Sequence, residues 1–276
     1  MTVTTEMVTL VLTSVFTKTL YDQRRGLLGW SVALVLLVGM YVAFWPSLRD
    51  QPSMSDLLEQ MPEAFRSLFA TTGADMSTPV GYVQVELLSF MGPIAVLVYA
   101  IGGGVAMIGG EEDRHTLDLL LANPIGRSRV LLEKFAALTL GTFLLAGVTG
   151  VSLVVLGNLA EMGLPPGNVA AAMLHLALLG VVFGALALAL SAATGRTGLS
   201  RGIPAVLAVV AYVVNALAPL VEWLEPARTF SPFYHYVGHD PLREGVSGGS
   251  ILVSLATIIV LLALAVLGFR RRDIAA

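Results

Sequence analysis

The sequence contains no cysteine and few charged residues, and both shortages exclude whole classes of protein. Without cysteine there can be no disulfide framework, no thiolate metal site and no cysteine nucleophile. Charged residues make up 13% of the 276 residues, against about 25% in a typical soluble domain. Apolar residues make up 56%. Because so few polar groups cannot cover a large apolar core, we expect the chain to lie in a bilayer.

The apolar residues occur in long runs that suit membrane-spanning helices, since about 20 apolar residues cross the hydrocarbon core. The sequence therefore predicts an all-α integral membrane protein with a single transmembrane domain over residues 1–276. The six predicted spans lie at about 27–46, 88–109, 133–157, 169–193, 202–221 and 249–269. Residues 1–25 have apolar residues at helical spacing, and they predict an amphipathic elbow helix along the membrane surface.

The basic residues are divided unevenly between the two sides that six spans create. If both termini are cytoplasmic, four of the 16 Lys and Arg residues lie outside and the other 12 lie inside. The four outer residues are Arg49, Arg66, Arg228 and Arg243. Because cytoplasmic loops carry an excess of Lys and Arg, we expect both termini to be cytoplasmic.

Segment 110–130, between the second and third predicted spans, concentrates charge in an otherwise apolar chain. We expect an amphipathic helix over 112–122, since good helix formers follow a group of acids that suit the start of a helix. Asn123-Pro124 ends this helix, because the residue before a proline avoids the helical region. Its apolar face, which would dock a soluble partner, consists of Leu117, Leu120 and Leu121. The alternative is an interfacial helix that only holds the loop at the bilayer.

The residues of this segment also carry a resemblance to a known family. They read Glu111-Glu112-x-x-x-Thr116-Leu117-x-x-Leu120-Leu121-x-x-Pro124-x-x-Arg127-x-Arg129 and end at Lys134. This order resembles the signature of the type-2 ABC transporter permeases. Ser231-Pro232-Phe233-Tyr234, followed by Asp240-Pro241-Leu242 and Gly245, is similar to the last outer loop of that family.

The resemblance implies a cytoplasmic coupling helix that contacts an ATPase subunit. The implied contact residues are Glu112, Thr116, Leu117, Leu120, Leu121 and Pro124. It also implies two P-loop ATPase subunits and two permeases, the second being another copy of this chain or a paralogue. Spans two and five would line the interface between the permeases. Membrane lipid is a further expected partner, and nucleic acid is not.

The implied function is export of an apolar or amphipathic substrate, such as a drug-like molecule or a lipid, across the inner (plasma) membrane of a prokaryote. This chain would bind no cofactor and would not be an enzyme on its own. ATP and Mg would bind the partner, because the chain lacks a Gly-x-x-x-x-Gly-Lys-Ser/Thr loop. The predicted spans hold no buried acid or base for a coupling ion, which favours energy from outside the membrane. The alternative is a membrane scaffold or assembly factor that recruits a cytoplasmic partner without transporting.

Charged residues at the inner mouth of span two are candidates for ion pairs. They are Glu111, Glu112, Arg127, Arg129 and Lys134. We expect at least one glutamate to pair with one of these bases and to pin the coupling helix to spans two and three. His175 in span four and Asn215 in span five are candidate polar groups of the substrate path. For both residues, a neutral side chain that bonds a neighbouring helix is the alternative.

Three further motifs suggest other chemistry, but their context disfavours it. Gly198-Leu199-Ser200-Arg201-Gly202 matches a hydrolase nucleophile elbow, yet a membrane helix precedes it where the elbow requires a strand. His235 and His239, beside Asp240, could be a metal pair, but glycine and proline interrupt the helix that would align them. Gly102-Gly103-Gly104 suits close helix packing better than phosphate binding, since no Lys-Ser/Thr follows. We therefore predict no catalytic residue and no metal site.

Overall fold

A computed structural model describes residues 14–48, 62, 76–121 and 125–272, apart from the side chains of 119 and 121. Within these ranges every regular element is helical, which confirms the predicted all-α class. In chain order the helices are α1 (Val15–Leu48), α2 (Pro79–Asp113), α3 (Leu117–Leu121), α4 (Arg127–Leu159), α5 (Pro166–Thr194), α6 (Thr197–Leu217), α7 (Glu225–Arg228), α8 (Pro232–Val237), α9 (Pro241–Glu244) and α10 (Gly248–Arg271).

Six of these helices are long and apolar enough to cross a membrane, which confirms the predicted number of spans. They are α1, α2, α4, α5, α6 and α10, and a 3-10 turn, Ala218–Leu220, extends α6. Every one of the six begins before its predicted apolar run. The helices are longer because hydropathy marks the part that suits lipid, whereas the backbone hydrogen bonds continue into the polar region.

Helix α1 contradicts the predicted boundary between an elbow helix and span one. Val15–Leu48 is a single helix of 34 residues, so residues 15–25 continue directly into the span. Gly26 lies at the predicted joint, and a glycine weakens a helix by about 1 kcal/mol relative to alanine without ending it. Residues 1–13 of the predicted elbow lie outside the described residues.

Helix α2 begins at a Thr-Pro step and contains a π-helical segment. The Thr78 hydroxyl accepts a hydrogen bond from the Gly81 N–H at 3.1 Å, and the proline that follows Thr78 suits a first helical position. The π-helical segment is Gln84–Met91. Tyr236 of α8 donates its hydroxyl to the Leu88 carbonyl oxygen in this segment at 2.8 Å. This π-helical segment of α2 is therefore hydrogen-bonded to α8, which is distant from it in the sequence.

Helix α5 is the centre of the bundle and packs against α2, α4, α6 and α10. Its approach to α2 is so close that a Cβ added to Gly104 would lie 2.4 Å from the Gly184 carbonyl oxygen. A Cβ on Gly103 would lie 2.6 Å from Leu138 of α4. The packing role predicted for these two glycines is confirmed, whereas a Cβ on Gly102 would meet no atom within 4 Å.

Charged residues with little solvent exposure occur inside the spanning helices, which corrects the prediction that the spans hold no buried acid or base. Lys134 lies two turns into α4 and is 2% exposed. Glu86 lies in the π-helical segment of α2 and is partly buried. Glu86 precedes the predicted span 88–109 because α2 begins before that apolar run, whereas Lys134 lies at the start of the predicted span 133–157.

The two ends of the bundle differ in charge. We call one the charged end, which holds Glu111, Glu112, Lys134 and Arg272. There the first turn of α1 meets α4, since the Phe16 N–H donates to Glu133 at 3.0 Å. Arg127 of α4 donates to the Arg272 carbonyl oxygen at 2.8 Å. Residues 14 and 272, the two limits of the described chain, therefore lie at the same end.

We call the opposite end the hairpin end, where residues 221–247 form α7, α8 and α9. Two residues on one face of α5 form hydrogen bonds that hold the hairpin end in place. Asn168 donates to the carbonyl oxygens of Leu242 and Arg243 at 2.9 and 3.0 Å. Two turns further, His175 Nε2 accepts from the Ser247 N–H at 3.2 Å. Because Ser247 immediately precedes α10, His175 lies at the level where that span begins.

Candidate functional site

The helix predicted over 112–122 is two elements in the structure, which corrects that prediction. Helix α2 continues to Asp113, and α3 contains only Leu117–Leu121. His115 lies between them with a φ of +54°. A right-handed helix cannot continue through this left-handed conformation, so the acids at 111–113 form the last turn of α2.

The turn after α2 has the hydrogen bonds of a Schellman motif. The N–H of His115 donates to the Glu112 carbonyl oxygen, and the N–H of Thr116 donates to that of Glu111, both at 2.9 Å. The Thr116 hydroxyl also donates to the Glu111 carbonyl oxygen at 3.1 Å. Glycine usually occupies the left-handed position of this motif. With histidine there, the sequence gives no signal that a helix ends.

Leu117 holds α3 against the rest of the bundle. Its side chain is 1% exposed and belongs to an apolar cluster with Met107 and Ile108 of α2 and Leu131 and Phe135 of α4. Leu117 therefore faces its own chain in this structure, and its predicted contact with a partner stays a prediction.

Residues 113–118, which we call the coupling segment, present a polar surface on either side of the buried Leu117. Its exposed residues are Asp113, Arg114, His115, Thr116 and Asp118. Among the predicted contact residues, Thr116 is exposed and Leu120 is partly buried. The side chain of Leu121 and the whole of Pro124 lie outside the described part of the chain.

The structure brings Glu111 and Lys134 together at the charged end. The Lys134 ammonium lies against one carboxylate oxygen of Glu111. The side chains are 3% exposed for the lysine and 18% for the glutamate. Removing one partner of a buried pair leaves a charge without compensation, which costs about 3–5 kcal/mol. This pair joins the end of α2 to the beginning of α4.

Glu112 pairs with a residue outside the predicted set of bases. The Arg272 guanidinium lies against the Glu112 carboxylate and also donates to the Ser191 carbonyl oxygen at 3.3 Å. Arg127, a predicted partner of the glutamates, instead donates to the carbonyl oxygens of Arg272 and Phe269 at 2.8 and 3.5 Å. Arg127 thus caps the end of α10, and Arg272 joins α10 to α2 and α5.

Arg129 pairs within its own helix and not with the glutamates of α2. Its Nε lies 2.7 Å from a carboxylate oxygen of Glu133, and its side chain is 70% exposed. A pair this exposed contributes about 0–1 kcal/mol. The other carboxylate oxygen of Glu133 accepts a hydrogen bond from the Phe16 N–H. The main effect of Glu133 is therefore to position the first turn of α1 beside α4.

The two candidate polar groups of the substrate path are both bonded at the hairpin end. Asn215 accepts a hydrogen bond from Arg228 Nε at 3.4 Å. His175 is 1% exposed, and its Nε2 lies 3.3 Å from His239 Nε2. Burial lowers the pKa of His239, which favours its neutral form beside His175. A role in the substrate path stays a prediction for both residues.

The remaining motifs are engaged in local contacts. His235 Nε2 lies 2.9 Å from the Thr229 carbonyl oxygen, whereas His239 turns to His175, so the two loop histidines have different partners. The Ser200 hydroxyl is buried and donates to the Arg196 carbonyl oxygen at 2.9 Å. A nucleophile elbow requires its serine exposed after a strand, and Ser200 lies in the first turn of α6.

Comparison with known proteins identifies the family. A family model described as ABC-2 family transporter protein matches residues 13–274. The chain is also 32% identical over 142 residues to the probable ABC transporter permease protein NosY of Pseudomonas aeruginosa. That match covers 47% of this chain and 50% of the relative, about half of its length. The resemblance to ABC permeases is confirmed, and this chain belongs to the ABC-2 transporter family as a membrane permease subunit of an ABC transporter.

Proposed function

We propose that this permease exports an apolar or amphipathic molecule and that its charged end couples it to a P-loop ATPase subunit. The observation that carries the coupling is that the exposed coupling segment is fixed to several spans. Leu117 packs α3 onto α2 and α4, Glu111 joins α2 to α4, and Glu112 joins α2 to α10. A force applied to the coupling segment would therefore reach three spans.

The charge of the coupling segment favours a protein partner over the bilayer. Asp113 and Asp118 are exposed on it. Acidic groups are poorly suited to a negatively charged inner leaflet, which attracts Lys and Arg. A basic groove on an ATPase subunit is the complementary surface. In this proposal two such subunits bind ATP and Mg and act on two permeases.

The charged end faces the cytoplasm in this proposal, because ATP is present there. The distribution of basic residues supports the assignment, since Lys and Arg are enriched on the cytoplasmic side. The charged end includes Lys18, Arg127, Arg129, Lys134, Arg196, Arg201, Arg270, Arg271 and Arg272, and the hairpin end includes Arg228 and Arg243. The relative from Pseudomonas aeruginosa supports the inner membrane of a prokaryote as the location.

Helices α2 and α6 offer apolar faces to a second permease, another copy or a paralogue. On α6 the exposed residues include Val206, Val209 and Val210. On α2 they include Ile94 and Val98. These are the fifth and second spans, and the family resemblance supports the proposal that they line the interface between permeases.

Two apolar grooves support an apolar or amphipathic substrate. One, of about 390 Å³, lies between α5, α6 and α10 beside the hairpin end, with Phe183 and Leu261 in its wall. The other, of about 500 Å³, lies between α4 and α5 and includes Phe143 and Val151. Each Å² of apolar surface that an acyl chain or ring buries there contributes roughly 25 cal/mol.

Co-purification of the permease with its ATPase tests the proposal. Asp118→Arg reverses an exposed charge on α3 and should lower recovery of the ATPase about tenfold, which corresponds to about 1.4 kcal/mol. Glu225→Arg makes the same change at an exposed position of the hairpin end and should leave recovery unchanged. Full recovery with Asp118→Arg would contradict the proposed contact. If the ATPase binds but its hydrolysis produces no transport of any apolar substrate, the scaffold alternative is the better account.

A further inference from the structure

The last described residue, Arg272, directly follows α10 and contacts α2, α4 and α5 at the charged end. The proposed docking of the ATPase does not require this arrangement. We infer that Arg272 is a positioning residue that transmits movement of the coupling segment to α10. The inference rests on the proposed function, because the movement it transmits originates in the ATPase.

Arg272 differs from the arginines that precede it. Arg270 and Arg271 belong to the last turn of α10 and are exposed. Arg272 is the first residue after the helix, with φ −80° and ψ 131°, so the chain is extended there. Its guanidinium lies against Glu112 at the end of α2 and donates to Ser191 near the end of α5. The side chain is 16% exposed.

The end of α5 leaves space for this guanidinium. Gly195 follows α5 with a φ of +65°, and a Cβ there would lie 2.2 Å from Arg272 Nη2. One turn back along α10, a Cβ on Gly268 would lie 2.9 Å from the Ala193 side chain. Two glycines therefore allow α10 and its terminal arginine to approach α5 this closely.

The backbone of Arg272 is fixed as well as its side chain. Arg127 of α4 donates to the carbonyl oxygens of Arg272 and Phe269, and Phe269 is fully buried. Glu112 directly precedes the coupling segment, and its second carboxylate oxygen is buried without a hydrogen bond. Arg272 is thus the one cation paired with that carboxylate in the described part of the chain. Displacement of the coupling segment would move Glu112 and, through it, the end of α10.

The test follows the response of α10 to nucleotide in the full permease with its ATPase, reconstituted in lipid nanodiscs. A single cysteine replaces Thr257, which lines the groove between α5, α6 and α10, in a chain without native cysteine. Its labelling rate with a thiol reagent is measured with and without a non-hydrolysable ATP analogue. We expect nucleotide to change the rate in the parent protein and to leave it unchanged in Arg272→Gln, which still binds the ATPase.

Two further variants separate transmission from general damage. Arg271→Gln removes the adjacent exposed arginine and should keep the full response. The exchange Glu112→Arg with Arg272→Glu restores an opposite-charge pair and should recover the response in part. If Arg272→Gln does not fold, Arg272→Lys gives the same test, because lysine keeps the charge but not the planar guanidinium; its response should be reduced.

A full nucleotide response in Arg272→Gln, or in Arg272→Lys if that variant is used, would overturn the inference. Loss of the ATPase from either variant would also overturn it, since Arg272 would then act in docking. Failure of the proposed function is distinguishable, because the parent permease itself would bind no ATPase.

Discussion

Gly195 has no room for a side chain at the charged end, and its backbone conformation is one that favours glycine. Gly195→Ala should destabilise the protein for two reasons. The φ of +65° at Gly195 is left-handed, and the new Cβ would overlap the Arg272 guanidinium. The backbone strain alone costs about 1–2 kcal/mol. Thermal unfolding of the purified permease in detergent, followed by tryptophan fluorescence, measures the effect.

Gly198→Ala is the matched control, because a Cβ there meets no atom within 4 Å and the residue lies in α6. It should leave the melting temperature unchanged or raise it slightly. In an Arg272→Ala background, Gly195→Ala should cost less, since only the backbone strain is left. Equal melting temperatures for the two alanine variants would contradict the described fit.

The sequence predicts only some of the residue pairs at the charged end. Glu111 and Lys134 flank one short loop, so local reasoning includes both among its candidates. Glu112 and Arg272 are 160 positions apart, and no periodicity or motif relates them. The closing run Arg270-Arg271-Arg272 informs orientation but does not reveal which arginine turns inward.

Leu117 determines how the short helix α3 is held. Leu117→Ala should lower the stability of the permease by about 2–5 kcal/mol, the usual cost of removing a buried leucine side chain. ATPase recovery should fall with it, because α3 is no longer fixed. Melting temperature and co-purification are measured on the same preparations. Leu132→Ala is the control, since that leucine of α4 is 46% exposed.

The comparison with Asp118→Arg separates packing from contact. Asp118→Arg should lower ATPase recovery at an unchanged melting temperature, because its side chain is exposed. If instead Leu117→Ala lost the ATPase at full stability, Leu117 would contact the partner directly, as its spacing in the sequence suggests.

Sequence reasoning predicted the long helices well and the short ones poorly. Apolar runs give the six spans because lipid demands continuous apolar length. The break between α2 and α3 depends on the left-handed backbone of His115, which no residue type signals. Spacing identifies the apolar face of α3 but not the surface that covers it, since α2 and α4 supply that surface only in the folded bundle.

Both limits of the described chain, residues 14 and 272, lie at the charged end of the molecule. One measurement of topology therefore assigns both to the same side of the membrane. A single cysteine at Thr229, exposed at the hairpin end, should react with an impermeant thiol reagent in intact cells. A cysteine at Gly198, exposed at the charged end, should react only after permeabilisation. The absence of native cysteine removes background labelling. The reverse pattern would overturn the proposed orientation.

The sequence is most informative about the whole molecule. The residue motif shared with the family and the uneven distribution of basic residues both concern the whole chain. The family match covers residues 13–274 and supports the partner class. The substrate is not encoded in any comparable pattern, since apolar groove walls accept many molecules of similar size.

The most direct test of the central claim, that the coupling segment contacts the ATPase, is site-specific photo-crosslinking at His115. This residue is exposed between α2 and α3, so a photoreactive amino acid there should form a covalent adduct with the ATPase. The same replacement at Thr229, exposed at the hairpin end, should form none. An ATPase that co-purifies with the permease yet crosslinks only from position 229, or from neither position, would contradict the account.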